Sequence, residues 1–196
     1  MLFPVASPKV IENARQLKAL DPLYLDTETT GFGPEDVVIE IGIVDAKGDL
    51  VFESLVNPNK AIPADSSAVN GITDDMVANA PQWKDTWPQV KKLLSNRIVG
   101  IYNSEFDLRL IKQTQMHCCG SWEFDPRRAF CAMRLYAAFY GDWNPRTNGF
   151  RIHKLEQAGK QCNIPLPNSH HALDDARLTA ALMDHIANYP VKQPNQ

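Results

Sequence analysis

Three short apolar runs come before most of the helical pattern, and that order narrows the possible folds more than any other feature of the chain. Residues 23–28, 37–45 and 50–56 are rich in β-branched and aliphatic side chains and read as strands. The "DAKGDL" between the second and third is a turn signal, so those two should form a hairpin. A short helix is expected ahead of them over residues 8–19, where Val10, Ile11, Ala14 and Leu17 recur at helical spacing. The Pro-, Asn- and Ser-rich stretch 57–72 reads as a surface loop. Beyond it, helix and strand alternate. Asp85 should cap a helix running to about Leu94, with Pro88 in its first turn. Residues 97–102 form a brief apolar strand and 106–116 a helix; 129–140 is mostly helical after a short extended entry, and helices at 154–162 and about 171–188 follow. Strands first, then alternating helix and strand, imply an α/β fold with a mixed central sheet flanked by helices.

A chain of 196 residues can build one good core and is short for two. With no repeat or linker in view, a single domain over residues 1–190 is expected, with a disordered tail at 191–196. No apolar stretch approaches the roughly 20 residues that span a bilayer, and a cytoplasmic protein without a membrane partner is expected. Cys118, Cys119, Cys131 and Cys162 make no CxxC pair and read as reduced thiols. The net charge of −3 does not by itself point to a polyanion partner, and its distribution is more telling. Residues 1–126 hold 11 Lys/Arg against 18 Asp/Glu, whereas 127–196 hold 9 against 5. The basic excess is concentrated in 127–160, a segment that could follow a phosphate backbone or form a solvated helix face.

The first strand ends in "LDTETTGF", and there the chemistry starts. Side chains two apart on a strand project from one face, so Asp26 and Glu28 point together. Carboxylates held that close repel unless a proton or a cation lies between them. Asp107 opens the helix after the strand at 97–102, and Asp175 lies early in the last helix, behind "HHALD". Strand ends and first helical turns line the ligand-binding crevice of α/β sheets. Oxygen donors gathered there would suit hard divalent cations, and two such ions are the usual arrangement for phosphodiester cleavage.

"LDTETTGF", "VIEIGIV", "VNGIT", "YNSEFDLRL" and "HHALDDARLTAAL", in that order from about residue 22 to residue 188, resemble the three exonuclease motifs of the DEDDh (DnaQ-like) family. That family includes the epsilon subunit of bacterial DNA polymerase III and ribonuclease T. The resemblance implies a ribonuclease H-like fold with about five strands, of which the residues themselves reveal four. It implies that Asp26, Glu28, Asp107 and Asp175 ligate two Mg²⁺ or Mn²⁺ ions and that His170 is the general base. The reaction implied is removal of nucleoside 5′-monophosphates from 3′ ends of DNA or RNA, single strands preferred, with a polymerase or another protein as a further partner.

Histidine ordinarily titrates near pH 6.5, which suits a base at cellular pH. The spacing leaves two of them. His171 and Asp175 would share a helix face, whereas His170 serves only if it lies in the loop before the helix. Asp174 is the lesser rival of Asp175, and His117, His153 and His185 read as surface or structural residues. Around the carboxylates, Thr29, Gly31, Phe32 and Asn70 are candidate substrate contacts: Gly31 permits a turn and close approach by a nucleotide, and Phe32 can stack on a terminal base. Phe106 and Trp122 read as core. The chain departs from the family pattern at Asn70, where many members have His before Gly-Ile, and at Tyr102, where many have His before Asn. Both departures bear on substrate handling. Two rival functions are a haloacid-dehalogenase-like phosphatase, for which Glu28 replaces the required second Asp, and a catalytically silent nucleic-acid-binding or polymerase-docking module.

Overall fold

The computed structural model describes residues 7–167 and 169–191. A five-stranded mixed sheet forms its centre, built from β1 (Leu23–Thr29), β2 (Val38–Val44), β3 (Leu50–Leu55), β4 (Val99–Ile101) and β5 (Ala129–Cys131) in the order β3-β2-β1-β4-β5. The β2–β3 hairpin and the β1–β2 pair are antiparallel, while β4 and β5 run parallel to β1. Every residue of β2 is buried, as expected for an apolar strand covered on both faces.

Helices cover both faces. On one, α8 (Ala172–Ala187) packs across β1 and β2, backed by α1 (Pro8–Ala19), α6 (Ala132–Tyr140) and α7 (Leu155–Gln161), with Tyr24, Val44, Tyr136, Phe139 and Leu182 in the shared core. On the other, α4 (Trp83–Leu94) and α5 (Ser104–Cys119) meet Leu23, Leu25, Ile41 and Ile43. Trp83, Trp87 and Trp122 stack in series there, so Trp122 belongs to this core as a half-buried member.

The fifth strand is the extended entry to α6, three residues paired with β4. Two expectations need correction. Residues 57–72 are not all loop, since α2 (Ala64–Asn70) lies within them and α3 (Asp74–Val77) follows. Both are too short to be stable alone; Ile62, Ile72 and Val77 pack on Ile39 and hold them in place. Helix α4 begins at Trp83, ahead of Asp85, which puts Pro88 beyond the first turn and costs one backbone hydrogen bond. Burial of Trp83, whose Nε1 donates to Gln115 Oε1 at 2.9 Å, fixes that earlier start. A small hairpin, β6 (Trp143–Asn144) with β7 (Gly149–Phe150), also went unread in the sequence. Of the expected tail only Val191 lies within the described residues.

No described helix is long and apolar enough to cross a membrane.

Candidate active site

Strand β1 delivers Asp26 and Glu28, both half-buried, to the sheet face that α8 covers. Their cross-strand partners on β2 are Gly42 and Glu40. Gly42 decides how close α8 can come. A Cβ at that position would stand 2.4 Å from the Leu173 amide nitrogen and 2.6 Å from the Ala172 carbonyl carbon, well inside contact distance. Because the glycine leaves that space open, the first turn of α8 lies directly on the sheet, and Asp175 is buried above the two β1 carboxylates.

The backbone immediately before α8 sets the two histidines apart. His171 is the N-cap, in extended conformation, and its Nδ1 lies 3.7 Å from Glu40 Oε1. His170 precedes the helix with φ +53°, a left-handed conformation rare for a non-glycine residue. Its ring nitrogen and a carboxylate oxygen each from Glu28 and Asp175 lie within 4.8 Å of one another. Asp174 is turned away, accepting from Ser169 Oγ at 2.8 Å.

Asp107 arrives from α5, on the opposite face. Strand β4 pairs with β1 only at Leu23 and Tyr24, so the Thr27 N–H on that edge meets no strand. Asp107 Oδ1 takes it at 3.1 Å and accepts from Thr27 Oγ1 at 2.8 Å as well. A short strand thus turns a vacant sheet position into a grip on a carboxylate.

The four acids repel one another. Burial, then the negative charges of Asp107, Asp175, Glu28 and Glu40, holds the Asp26 carboxyl well above the ordinary carboxylate range. Glu28 is pushed up to about 8 by burial and by Asp175, Glu40 and Asp107, against an opposing hydrogen bond from Asn70. Asp107 rises to about 7, chiefly through burial, although its bonds from Thr27 pull the other way. Oxygen donors that destabilise one another as anions, with one imidazole and no thiolate among them, suit hard divalent cations.

Glu40 went unassigned in the sequence, although a glutamate inside an otherwise apolar buried strand was the available signal. Its Oε2 accepts the Ala172 N–H at 2.8 Å, which fastens the first turn of α8 and hence the bend that carries His170.

The candidate substrate contacts fall into two groups. Thr29 and Asn70 are buried. The Thr29 hydroxyl donates to Gly31 O at 2.9 Å, and Asn70 Nδ2 lies 3.4 Å from Thr29 O, so both side chains bind the β1 end to its surroundings. Gly31 and Phe32 belong to the projecting loop. Gly31 has φ +152°, and a Cβ there would come within 2.7 Å of Asp36 Oδ2. Asp36 accepts from Thr30 Oγ1 and from the Gly33 N–H, both at 2.7 Å, and clamps the loop. Phe32 is its exposed tip, 80% accessible, with its ring centroid 5.5 Å from that of half-buried Phe106. Phe106 therefore lies at the edge of the core, with the Arg109 guanidinium 5.5 Å from its ring centre. Tyr102 points inward, and its hydroxyl donates to His153 O at 2.8 Å. His153 and His185 pack among aromatic rings as structural residues, and His117 is exposed.

The family model described as "Exonuclease" (RNase T) matches residues 23–183, which spans all the acidic positions described above. The chain belongs to the RNase T exonuclease family. As a member it is 36% identical over 188 residues to the uncharacterized exonuclease CP81 of Escherichia phage 186, covering 93% of this chain and 96% of that one. It is 30% identical over 172 residues to the DNA polymerase III subunit epsilon of Treponema pallidum, covering 86% and 77% of the two chains. Among solved structures, Exonuclease X in complex with 5′ overhanging duplex DNA superposes with a TM-score of 0.64 at 25% identity, over 85% of this chain and 90% of that one. The five-stranded sheet and its flanking helices are those of the ribonuclease H-like DEDDh exonucleases. An exonuclease of this family is what the chain is; the phosphatase reading has no support in either fold or family.

Proposed function

We propose that this exonuclease degrades nucleic acid from the 3′ end, releasing nucleoside 5′-monophosphates with the help of two Mg²⁺ or Mn²⁺ ions. The observation that carries the reading is the convergence of Glu28, Asp175 and His170 within 4.8 Å, on the same strand end as Asp26 and beside Asp107. Asp26, Glu28, Asp107 and Asp175 would hold the ions. When bound, divalent ions supply charge neutralisation, water activation and stabilisation of the leaving oxygen.

The chain's own groups do the rest. His170, exposed at the mouth and outside the helix, accepts the proton of the attacking water. Glu40 positions it through the Ala172 N–H. The exposed Phe32 ring, tilted 51° against Phe106, offers an apolar face on which the terminal base can stack, and Arg109 beside them brings positive charge to that mouth. Single-stranded 3′ ends fit a platform of this kind. A polymerase or another protein could present such ends, as the similarity to an epsilon subunit suggests.

A panel of 3′- and 5′-labelled DNA and RNA, single- and double-stranded, with Mg²⁺, Mn²⁺ or chelator tests the whole reading. Mononucleotides released progressively from the 3′ label, and no release in chelator, are expected. Release from the 5′ end, or undiminished cleavage in chelator, would overturn it.

A further inference from the structure

The β6–β7 hairpin and α6 enclose an open groove of about 780 Å³, lined among others by Met133, Arg134, Phe150, Arg151 and Ile152. Three observations set it apart. First, it starts at the active site. Strands β4 and β5 run parallel to β1, so their C-terminal ends, and the starts of α5 and α6, open on the same sheet edge. Arg134 Nη2 meets Glu105 Oε1 at 2.7 Å, two residues from Asp107, and the chain leaving the groove is tied to the end of β4 by the Tyr102 hydroxyl on His153 O. Second, its lining exposes large apolar side chains: Phe150 is 38% accessible and Ile152 54%, and Trp143, next to the lining and 50% accessible, stands edge-on to Phe150 at 5.2 Å between centroids. Third, it is basic. In its lining, Arg134 and Arg151 hold only exposed pairs, with Glu105 and Asp142, and Arg146, at the hairpin turn beside the lining residue Thr147, has no carboxylate partner among the described residues. Pairs of that kind contribute little and exchange readily for another anion.

We infer that this groove binds the strand upstream of the reacting 3′ nucleotide, with Trp143 and Phe150 stacking on bases and Arg146 and Arg151 contacting phosphates. The inference rests on the nuclease reading, which supplies the 3′ end next door. Arginines interleaved with exposed aromatics match what single strands offer, namely π-faces that do not depend on sequence and regularly spaced negative charge. A protein partner would have to cover the same basic rim with acidic side chains, and a fully apolar one would leave the arginines stranded.

The test uses fluorescein-labelled dT3 and dT12 in chelator, where no hydrolysis intervenes, followed by anisotropy across a salt series. Wild-type protein should bind dT12 much more tightly than dT3, and dT12 should quench the emission of Trp143. Arg146→Glu and Trp143→Leu should each weaken dT12 binding roughly tenfold and leave dT3 binding and dT3 hydrolysis in Mg²⁺ unchanged. Arg146→Ala should also lower the salt slope by about 0.7, the loss of one single-strand phosphate contact. Arg146 lies on an exposed turn, so its variants report binding even if Trp143→Leu disturbs the hairpin. Unaltered dT12 affinity and salt slope in the Arg146 variants, with hydrolysis intact, would overturn the groove and spare the nuclease reading. Loss of dT12 binding in a protein that hydrolyses nothing would do the reverse.

Discussion

Two adjacent histidines differ here through their backbones. His170 has left-handed φ and faces Glu28 and Asp175, whereas His171 caps α8 and faces Glu40. His170→Ala is therefore expected to slow turnover by about 10²–10⁴-fold, the usual span for loss of a general base, while calorimetry still detects metal binding. His171→Ala should act more mildly, because the Ala172 N–H remains to hold Glu40. The reverse pattern, with normal turnover in His170→Ala and an inactive His171→Ala, would transfer the base role to His171. Asp175→Asn is expected to abolish hydrolysis. In metal-free protein it should also raise the melting temperature, since it removes one of the charges that push Asp26 and Glu28 above their ordinary range. A lower melting temperature in the metal-free variant would mean that Asp175 stabilises its surroundings instead of repelling them.

At the scale of elements, the site depends on how low α8 lies on the sheet, and Gly42 sets that height. Gly42→Ala places a methyl group against backbone atoms that cannot turn aside, so about 1–3 kcal/mol of stability should be lost, as in other overpacked cores. Activity should fall further than stability because Asp175 and His170 move together; a variant with wild-type turnover and an unchanged melting curve would show that the helix has room to spare. Nothing in the sequence reveals that contact, since a glycine in an apolar strand gives no hint of what passes over it. What was legible follows from periodicity. The runs at 23–28, 37–45 and 50–56 became β1, β2 and β3 because apolar strands of that length carry their own signal. Strand β5 is three residues long and runs straight into α6, so a helical pattern masks it. The hairpin at Trp143–Phe150 has two residues a side, too few to alternate. Asp26, Glu28, Asp107 and Asp175 stand out as candidates because carboxylates at strand ends and helix starts are conspicuous; Glu40 shows only as a glutamate inside an apolar strand, and what it does there, holding a helix N–H, depends on a contact that the sequence does not display. The same reasoning applies to the Phe32 loop, whose clamp is Asp36. Burial opposes ionisation of that carboxyl, but hydrogen bonds from Thr30 and Gly33 and the charge of Lys60 outweigh it and hold its pKa below the usual range. Asp36→Ala should free the loop and raise KM for long and short substrates alike, with little change in kcat.

For the molecule as a whole, the crowded carboxylates couple folding to pH and, on the proposed function, to divalent metal. Glu28 titrates near 8 and Asp107 near 7 in the folded protein, against ordinary values near 4 in an unfolded chain. Between those limits the folded state binds more protons than the unfolded one, so stability falls as pH rises. The contribution of these groups is complete below about pH 4 and is lost as pH passes through 7 and 8. Metal-free protein should accordingly melt at a higher temperature at pH 6 than at pH 8.5, the opposite of what a protein held together by ionised carboxylates would do. Divalent ions bind the ionised form, so Mg²⁺ or Mn²⁺ should raise the melting temperature more at pH 8.5 than at pH 6, and the two pH curves should converge as metal saturates. The convergence should disappear in Asp26→Asn, in which one central charge is gone before any ion arrives. Scanning calorimetry in chelator and in millimolar Mg²⁺ at the two pH values decides the matter. If metal-free stability were flat across that range, the four carboxylates would not share one field, and the physical ground for placing ions among them would be lost.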